Sequence, residues 1–427
     1  MDEWSKYTKL TNLFIECYVD FYTTPLLLGR CENDYREDES AWKLKRDAVV
    51  QRIRRYLEVG SRMQWEGVAN LMRLSALDEA LYEAGMEDMV YRDLPPRHKV
   101  RGREWLVFKR AVSLSSKHAH VSQRGHLRNW LRHHMIVPAF FEPYPVVSAD
   151  QEQYKLKIVV THSNRLARDL RIRIGSELRV WLGTFPDGVV PEWPGIGQKK
   201  CTSERLDDPD ERWLSIRTSL EQAKMAAAHI VIMPELSLCR QLRNKMLEWL
   251  DQEEPGFLLV VPGSYHEVDD LKIDKYPFNR SRLCDGSGNE ILRHDKLRAF
   301  GSDKLCHEQI TPGNKVTLWR TSIGVFTLLI CRDFCEEDGD VVKMLEALAP
   351  DWLLVPSMSF DHGIRAHALQ AKHLHNKCGA RILLANQTPD KTFASEESHG
   401  FVYPAADGAC QPDWVSPAAR LKILSLP

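Results

Sequence analysis

Much that would direct a first guess is missing from this sequence. Net charge is nearly absent: 58 lysines and arginines stand against 59 aspartates and glutamates, a formal -1. The chain as a whole therefore offers no electrostatic case for any one partner. No window approaches the run of about eighteen apolar residues that a membrane-spanning helix needs. The start, MDEWSKYTKLTNLF, puts acids where a secretory leader carries basic residues, and no apolar core follows. The 10 cysteines run from Cys17 to Cys410 without a repeated spacing, which excludes a disulfide framework as the organising device of so long a chain. Internal repeats and low-complexity stretches are lacking too. A cytoplasmic, reducing compartment away from membranes is expected. What is present is ordinary for a globular protein: 427 residues, 43% apolar and 27% charged, long enough for two domains, one with a large core.

The first third reads as helical. In WKLKRDAVVQRIRRYLEVG the residues Leu44, Ala48, Val49, Ile53, Tyr56 and Leu57 recur at three- and four-residue steps, with Gly60 as a stop. VANLMRLSALDEALYEAGM repeats the habit. Prolines punctuate the chain near residue 95 (DLPPRHK) and from Val137 to Val147 (VPAFFEPYPVV). Past about residue 175 short apolar runs alternate with helical patterns: LRVWLGTF, IVIMPEL, FLLVVPGSY, SIGVFTLLIC, DWLLVPSMS and ARILLANQ. Strands buried on both faces read as continuous runs of this kind, and their alternation with helices predicts a layered α/β domain. We therefore expect a mainly α-helical domain over 1–150 with a break near 95, a connector over 151–174, and an α/β domain over 175–427.

Catalytic groups of α/β sheets sit at or beyond the carboxyl ends of strands, and three residues share that address. Glu235 ends HIVIMPE, Cys331 ends VFTLLIC, and Lys296 ends NEILRHDK beyond the turn DGSGNE. Each has an unremarkable explanation. A strand cysteine is usually inert filler, a Pro-Glu pair can simply open a helix, and a lysine in a polar loop is ordinarily solvated. Together they supply a thiol, a carboxylate base and an ammonium electrophile.

In order along the last 250 or so residues, these blocks resemble the nitrilase or carbon–nitrogen hydrolase superfamily. LRVWLGTF is similar to its opening strand, EQAKMAAAHIVIMPEL to its helix, strand and Pro-Glu step, and FLLVVPGSYHE to the next strand. FNRSRLCDGSGNEILRHDKLRAF resembles the Asn-to-Lys segment, TPGNKVTLWRTSIGVFTLLICRD the Pro-Gly, hairpin and cysteine block, and GFVYPAADG a later hairpin. The resemblance implies an α–β–β–α sandwich, Cys331 as nucleophile, Glu235 as general base and Lys296 as electrostatic stabiliser. It also implies a second glutamate between the lysine and cysteine blocks, a place that Glu308 in HEQITPG fits. No metal or cofactor is implied, and a homodimer or larger assembly is.

The chemistry holds together without the family. An ammonium favours the thiolate, which is the actual nucleophile. Lys296 and the backbone N–H of Arg332 are placed to stabilise charge on the attacked group. Glu235 can take the thiol proton, give it to the departing amine, and then activate water. The resemblance, not the residues, favours a small amide over a nitrile as substrate. A catalytically idle scaffold or regulatory subunit is the other reading, against which an intact Glu–Lys–Cys set argues. CRDFC also raises Cys331 and Cys335 as metal ligands, but a structural zinc site needs two ligand pairs and no matching CxxC lies elsewhere. His367 and His375, eight apart, share a helix face that reads as polar surface and packing; the resemblance also implies a helix close to the site, from which one of these histidines could touch substrate. Arg332, where the family often has an aromatic residue, either favours an anionic substrate or pairs with Asp333 or Glu336. The loop PDGVVPEWPGIGQKKCTSERLDDPDE is longer than usual and is a candidate lid or oligomer contact.

The resemblance leaves residues before about 170 unexplained. From Arg97 to Arg132 the basic residues Arg97, Lys99, Arg101, Arg103, Lys109, Arg110, Lys117, Arg124, Arg128 and Arg132 face one acid, Glu104, with Trp105 and Trp130 among them. Basic residues interleaved with aromatics suit single-stranded nucleic acid. The competing readings are a protein-docking module and a solvated helical face paired with the acid-rich CENDYREDES.

Overall fold

Three amphipathic helices open the chain: α1 (Glu3–Tyr22), α2 (Glu39–Val59) and α3 (Asn70–Glu83). The computed structural model describes residues 3–22, 39–59, 65, 70–83, 97–109, 133–144, 154–161, 165–185, 191, 200–201, 205–268, 276–300, 307–335, 340–388, 399–405 and 408–426. The helices lie on a sheet that the periodicity did not predict. Strands β1 (Arg97–Val100) and β2 (Arg103–Lys109) form a hairpin, and β3 (His134–Pro138) pairs with β2 on its other side. The turn is two residues, Arg101 and Gly102, both with positive φ (51° and 78°), as the twist of a tight hairpin demands. Strand alternation then sorts the side chains. Trp105, Val107 and Ile136 join Phe14, Ile53 and Leu77 under the helices, while Leu106, Phe108, Met135 and Val137 face the rest of the molecule. Buried Asp78 of α3 fastens β3, accepting from the N–H groups of His133 and His134 and pairing with His134 Nδ1 at 2.9 Å.

This corrects two expectations. The described half of the basic region is a β-hairpin whose Arg97, Lys99, Arg101 and Arg103 are exposed, and Trp105, only 5% exposed, is core rather than a stacking platform. Lys117, Arg124, Arg128, Trp130, Arg132 and the acid-rich 31–38 lie outside the described residues, as do residues 192–199 of the long loop.

The chain crosses from the first unit to the second through one residue. Directly after β3, Ala139 N–H donates to Glu104 O and Ala139 O accepts from Ile158 N. Strands β4 (Phe140–Tyr144) and β5 (Tyr154–Thr161) then run into the large second sheet, followed by α4 (Arg165–Ile174). Residues 151–174, expected as a connector, thus carry a strand and a helix of the C-terminal domain; β5 lies parallel to a later strand, and the proline cluster had hidden the pairing.

That domain continues with β6 (Glu177–Leu182), β7 (Lys200–Cys201), α5 (Pro209–Met225), β8 (Ile230–Ile232), α6 (Arg240–Glu253), β9 (Leu259–Val261), β10 (Ser264–Glu267), β11 (Phe278–Asp285), β12 (Glu290–Asp295) and β13 (His307–Glu308). It ends with β14 (Lys315–Thr321), β15 (Gly324–Leu328), α7 (Asp340–Leu348), β16 (Trp352–Met358), α8 (Asp361–Cys378), β17 (Arg381–Gln387), β18 (Gly400–Tyr403), β19 (Asp413–Trp414) and β20 (Leu421–Ser425). One sheet has the order β10-β11-β9-β8-β6-β20, with β12 also on β11, and the other β19-β18-β17-β16-β15-β14-β5-β4. Val180, Ile232 and Val261 of the first meet Phe326, Leu354 and Leu383 of the second in a shared core. Helices α5 and α6 cover the outside of the first sheet, and α7 and α8 that of the second.

The result is the expected α–β–β–α sandwich. Local signals agree with it: Asp208 caps α5 by accepting from Glu211 N, with Pro209 in the first turn, and Gly379 closes α8 at φ 71°. Leu106, Phe108 and Val137 from the N-terminal sheet pack with Met344, Leu345 and Leu348 of α7. Among the described residues no helix is long and apolar enough to cross a membrane.

Candidate active site

The strand ends bring Glu235, Lys296, Glu308 and Cys331 together between the two sheets. Beyond β8, Glu235 sits in a tight turn with Leu236 at φ 49°, held by Ser237 Oγ donating to Pro234 O and Leu236 N donating to Ser264 Oγ. Its backbone is tied to the other sheet: its N–H donates to Ser357 O, and its O accepts from Gln387 Nε2 at 2.7 Å. Lys296 follows β12, with its N–H on Asn279 O and its carbonyl on Gly313 N. The Pro-Gly step is steric: a Cβ on Gly313 would collide with the carbonyl oxygen of Asp295. Glu308 lies on β13, which pairs in parallel with β7. Cys331 opens a short 3-10 turn, Cys331–Asp333, at φ 43°. That is a conformation costing a residue with a Cβ about 1–2 kcal/mol, and such outliers gather at functional sites.

Lys296 Nζ donates to Glu235 Oε1 at 2.7 Å and to Glu308 Oε2 at 2.8 Å, with all three side chains nearly inaccessible. Asn279 Nδ2 bridges the same two carboxylates, donating to Glu235 Oε1 at 2.9 Å and Glu308 Oε1 at 2.8 Å. Glu308 also accepts from His266 Nε2 at 2.9 Å and Phe300 N at 2.8 Å. The Met358 peptide joins this cluster to the cysteine, its N–H donating to Glu235 Oε2 at 3.0 Å and its O standing 3.8 Å from Cys331 Sγ.

The electrostatics separate the two glutamates. Burial raises the Glu235 carboxyl well above the usual range; Cys331 and Glu308 add to this, and Lys296 opposes it without prevailing. Burial also pushes Glu308 upward, but Lys296 and then His266 outweigh it and hold the carboxyl well below that range. For Lys296 burial disfavours the charge, yet Glu235 and Glu308 overcome it and raise the ammonium's pKa. One ammonium neutralises one carboxylate, leaving the other to take and return a proton. Two acids pushed apart in this way are the mark of a divided acid–base assignment.

Several residues here escaped the sequence reading. Asn279 and His266 have no motif of their own; their roles come from register, with Tyr265↔Arg280 and His266↔Asn279 opposed across β10 and β11. Asp333, fully buried, accepts from Leu297 N, Arg298 N and His294 Nε2 at 2.8–3.0 Å, lashing the cysteine turn to the lysine loop. Arg332 therefore does not pair with it; its Nη1 donates to Ala299 O at 2.8 Å, and Glu336 lies outside the described residues. His367 is not polar surface. It is completely buried on α8, in the stripe Ile364–His367–Ala371–Leu374, with Nε2 at 3.9 Å from Cys331 Sγ. A polar residue falling on the apolar stripe was the available signal. Cys335, weighed as a metal ligand, has its thiol on Gly363 O, and among the described residues no group of three or more His, Cys, Asp and Glu side chains is arranged to hold a metal ion.

No protein-family model matches the chain, and no curated protein matches its sequence. Solved structures do. An amidase from Nesterenkonia sp. is 16% identical, with 59% of this chain and 91% of the amidase covered at a TM-score of 0.42. A double mutant of that amidase in complex with acrylamide is 15% identical over 59% of this chain and 90% of its own, at 0.43. Nit3 of Saccharomyces cerevisiae, a member of branch 10 of the nitrilase superfamily, is 18% identical over 60% of this chain and 91% of its own, at 0.44.

Proposed function

We propose that this chain is a thiol hydrolase of the nitrilase type, cleaving a non-peptide carbon–nitrogen bond, with an amide favoured over a nitrile. Cys331 is the nucleophile, Glu235 the general base, Lys296 the electrostatic stabiliser, and Glu308 the anion that keeps Lys296 charged and in place. The observation that carries the reading is the buried Glu235–Lys296–Glu308 cluster joined to Cys331 through one residue, Met358, with one carboxyl raised above the usual range and the other held below it.

Glu235 removes the Cys331 thiol proton as the sulfur attacks the amide carbon. The carbonyl π pair moves onto oxygen, where Lys296 and the N–H of Arg332, among the acceptor-free first N–H groups of its turn, stabilise the charge. Collapse breaks the C–N bond, and Glu235 returns the proton to the leaving nitrogen. Water then attacks the thioester, giving its proton to Glu235; the tetrahedral adduct releases the carboxylic acid and the thiol.

The test is intact-protein mass spectrometry of the wild type and Cys331→Ala after exposure to small amides, nitriles and glutamine, with ammonia release read in parallel. A Cys331-dependent acyl adduct or ammonia signal is expected, and it names the substrate class. No adduct together with no labelling of Cys331 by a general thiol alkylator sinks the reading and leaves the idle scaffold standing.

A further inference from the structure

The cluster of Glu235, Lys296 and Glu308 accounts for one set of neighbours of the Cys331 sulfur. A second set comes from the opposite layer and has no part in the mechanism above. Ser359 Oγ lies 3.4 Å from Cys331 Sγ and 3.4 Å from His367 Nε2, and Ser357 Oγ lies 3.2 Å from His367 Nε2 and 3.1 Å from Ser359 Oγ. His367 Nε2 itself stands 3.9 Å from the sulfur. Both hydroxyls and the sulfur thus converge on a single ring nitrogen.

The other nitrogen settles the tautomer. Among the described residues His367 Nδ1 is buried without a hydrogen-bond partner, and the ring stacks on Phe334 at 5.8 Å with an interplanar angle of 8°. A proton on Nδ1 would be an orphaned buried donor, which folded proteins seldom tolerate. A proton on Nε2 has the sulfur and both hydroxyl oxygens as acceptors. An imidazolium would bury a charge and orphan a donor together. The other titratable groups about the helix are turned elsewhere: Cys335 toward Gly363 O, Glu346 of α7 toward His373, and Tyr403 of β18 against His375.

We propose that His367 is a second catalytic group for Cys331: a neutral imidazole whose Nε2–H donates to the sulfur, directly and through the Ser359 hydroxyl, stabilising and aiming the thiolate while Glu235 moves the proton. No proton leaves the ring in this role. Glu235 takes the thiol hydrogen, and the Nε2–H bond strengthens as charge develops on sulfur, since hydrogen bonds to an ionised partner are roughly twice as strong as neutral ones. The inference rests on Cys331 being the nucleophile.

The test reads the thiol without any substrate. Full-length wild type, His367→Gln, His367→Phe and Ser359→Ala are alkylated with iodoacetamide across pH 6 to 10, and labelling of Cys331 is followed by peptide mass. With Phe the rate near pH 7 is expected to fall about tenfold, the loss of one charge-assisted hydrogen bond, and to converge on the wild type at high pH, where the thiolate forms unaided. Gln, whose amide can donate from the Nε2 position, recovers most of the rate, and Ser359→Ala falls between. A merely structural role would lower the rate at every pH and would not be rescued by Gln; that pattern, or profiles superposed on the wild type, overturns the inference. If the wild type also forms an acyl adduct, the hydrolase reading survives such a failure. If it forms none while the profiles still shift, the His367–Cys331 coupling stands, because alkylation reads the thiol and not the hydrolysis.

Discussion

Replacing Lys296 with methionine removes the charge and keeps most of the volume. Two carboxylates then remain at 1–2% side-chain exposure, sharing Asn279 Nδ2 as donor. Breaking a buried ion pair in this way costs about 3–5 kcal/mol, on the order of 10 °C in the melting temperature of a domain this size. The penalty has a pH signature. Glu235 is already raised by burial and by Cys331, and losing the lysine raises it further. A carboxyl raised in the folded state contributes its stability at low pH and loses it as pH rises through the folded pKa. The deficit of Lys296→Met is therefore expected to be larger at pH 8 than at pH 5.5, because acidification favours the protonated form of the raised Glu235 carboxyl. Calorimetry at the two pH values, with the double variant Lys296→Met/Glu308→Gln, reads this directly: removing one of the two uncompensated charges should restore part of the loss. A single variant as stable as wild type at pH 8, or a deficit independent of pH, would refute the premise that this ammonium neutralises buried acids.

Three further outcomes follow from the same geometry. Glu308→Gln should cost about 2–3 kcal/mol at pH 7; because Glu308 is depressed, its contribution exists above the ordinary carboxylate pKa of about 4.3 and the gap to wild type should narrow as pH falls below that value, which melting curves carried from pH 7 down to about pH 3 would check. Gly313→Ala forces a methyl onto the Asp295 carbonyl and should cost about 1–3 kcal/mol while displacing Lys296; unchanged melting and turnover would contradict the close approach. Asp333→Asn puts an amide N–H₂ where only donors converge and should cost about 2 kcal/mol with slower alkylation of Cys331, whereas a neutral result would show that the turn does not need its lashing to Leu297 and Arg298.

Where a run of residues is buried on both sides, the sequence says so, and β8, β9, β16 and β17 stand where the apolar runs put them. The N-terminal sheet was harder to see because its information is two residues long. Arg-Gly between RHKV and REWLVFK is a hairpin turn with alternating flanks, but ten basic residues drew attention to charge before pattern. The Phe140–Thr161 strands were masked by prolines that fit an edge: β4 pairs on one side alone, and its register slips between Phe141 and Tyr144, the place where a strand tolerates Pro143.

The site divides along the same line. Glu235, Lys296 and Cys331 were legible because each interrupts a strand pattern at its end, a local event. Asn279, His266 and Asp333 act through partners 29 to 44 residues away in sequence, such as His266 on Glu308, Asn279 on Glu235 and Asp333 on Leu297, so no local window reveals them. They share one chemical property that does the organising. Asn279 Nδ2, His266 Nε2 and the Asp333 carboxylate each meet atoms of opposite hydrogen-bonding sense from other segments, so that a shift of one strand breaks several bonds at once. Glu308 accepts from His266, Asn279, Lys296 and the Phe300 N–H, four donors from β10, β11, the lysine loop and the segment leading to β13. An isolated ammonium between two acids would be free to favour either one. With Glu308 filled by four donors its carboxyl is held low, and in the proposed mechanism the mobile proton therefore falls to Glu235, the carboxylate tied by Met358 to the cysteine.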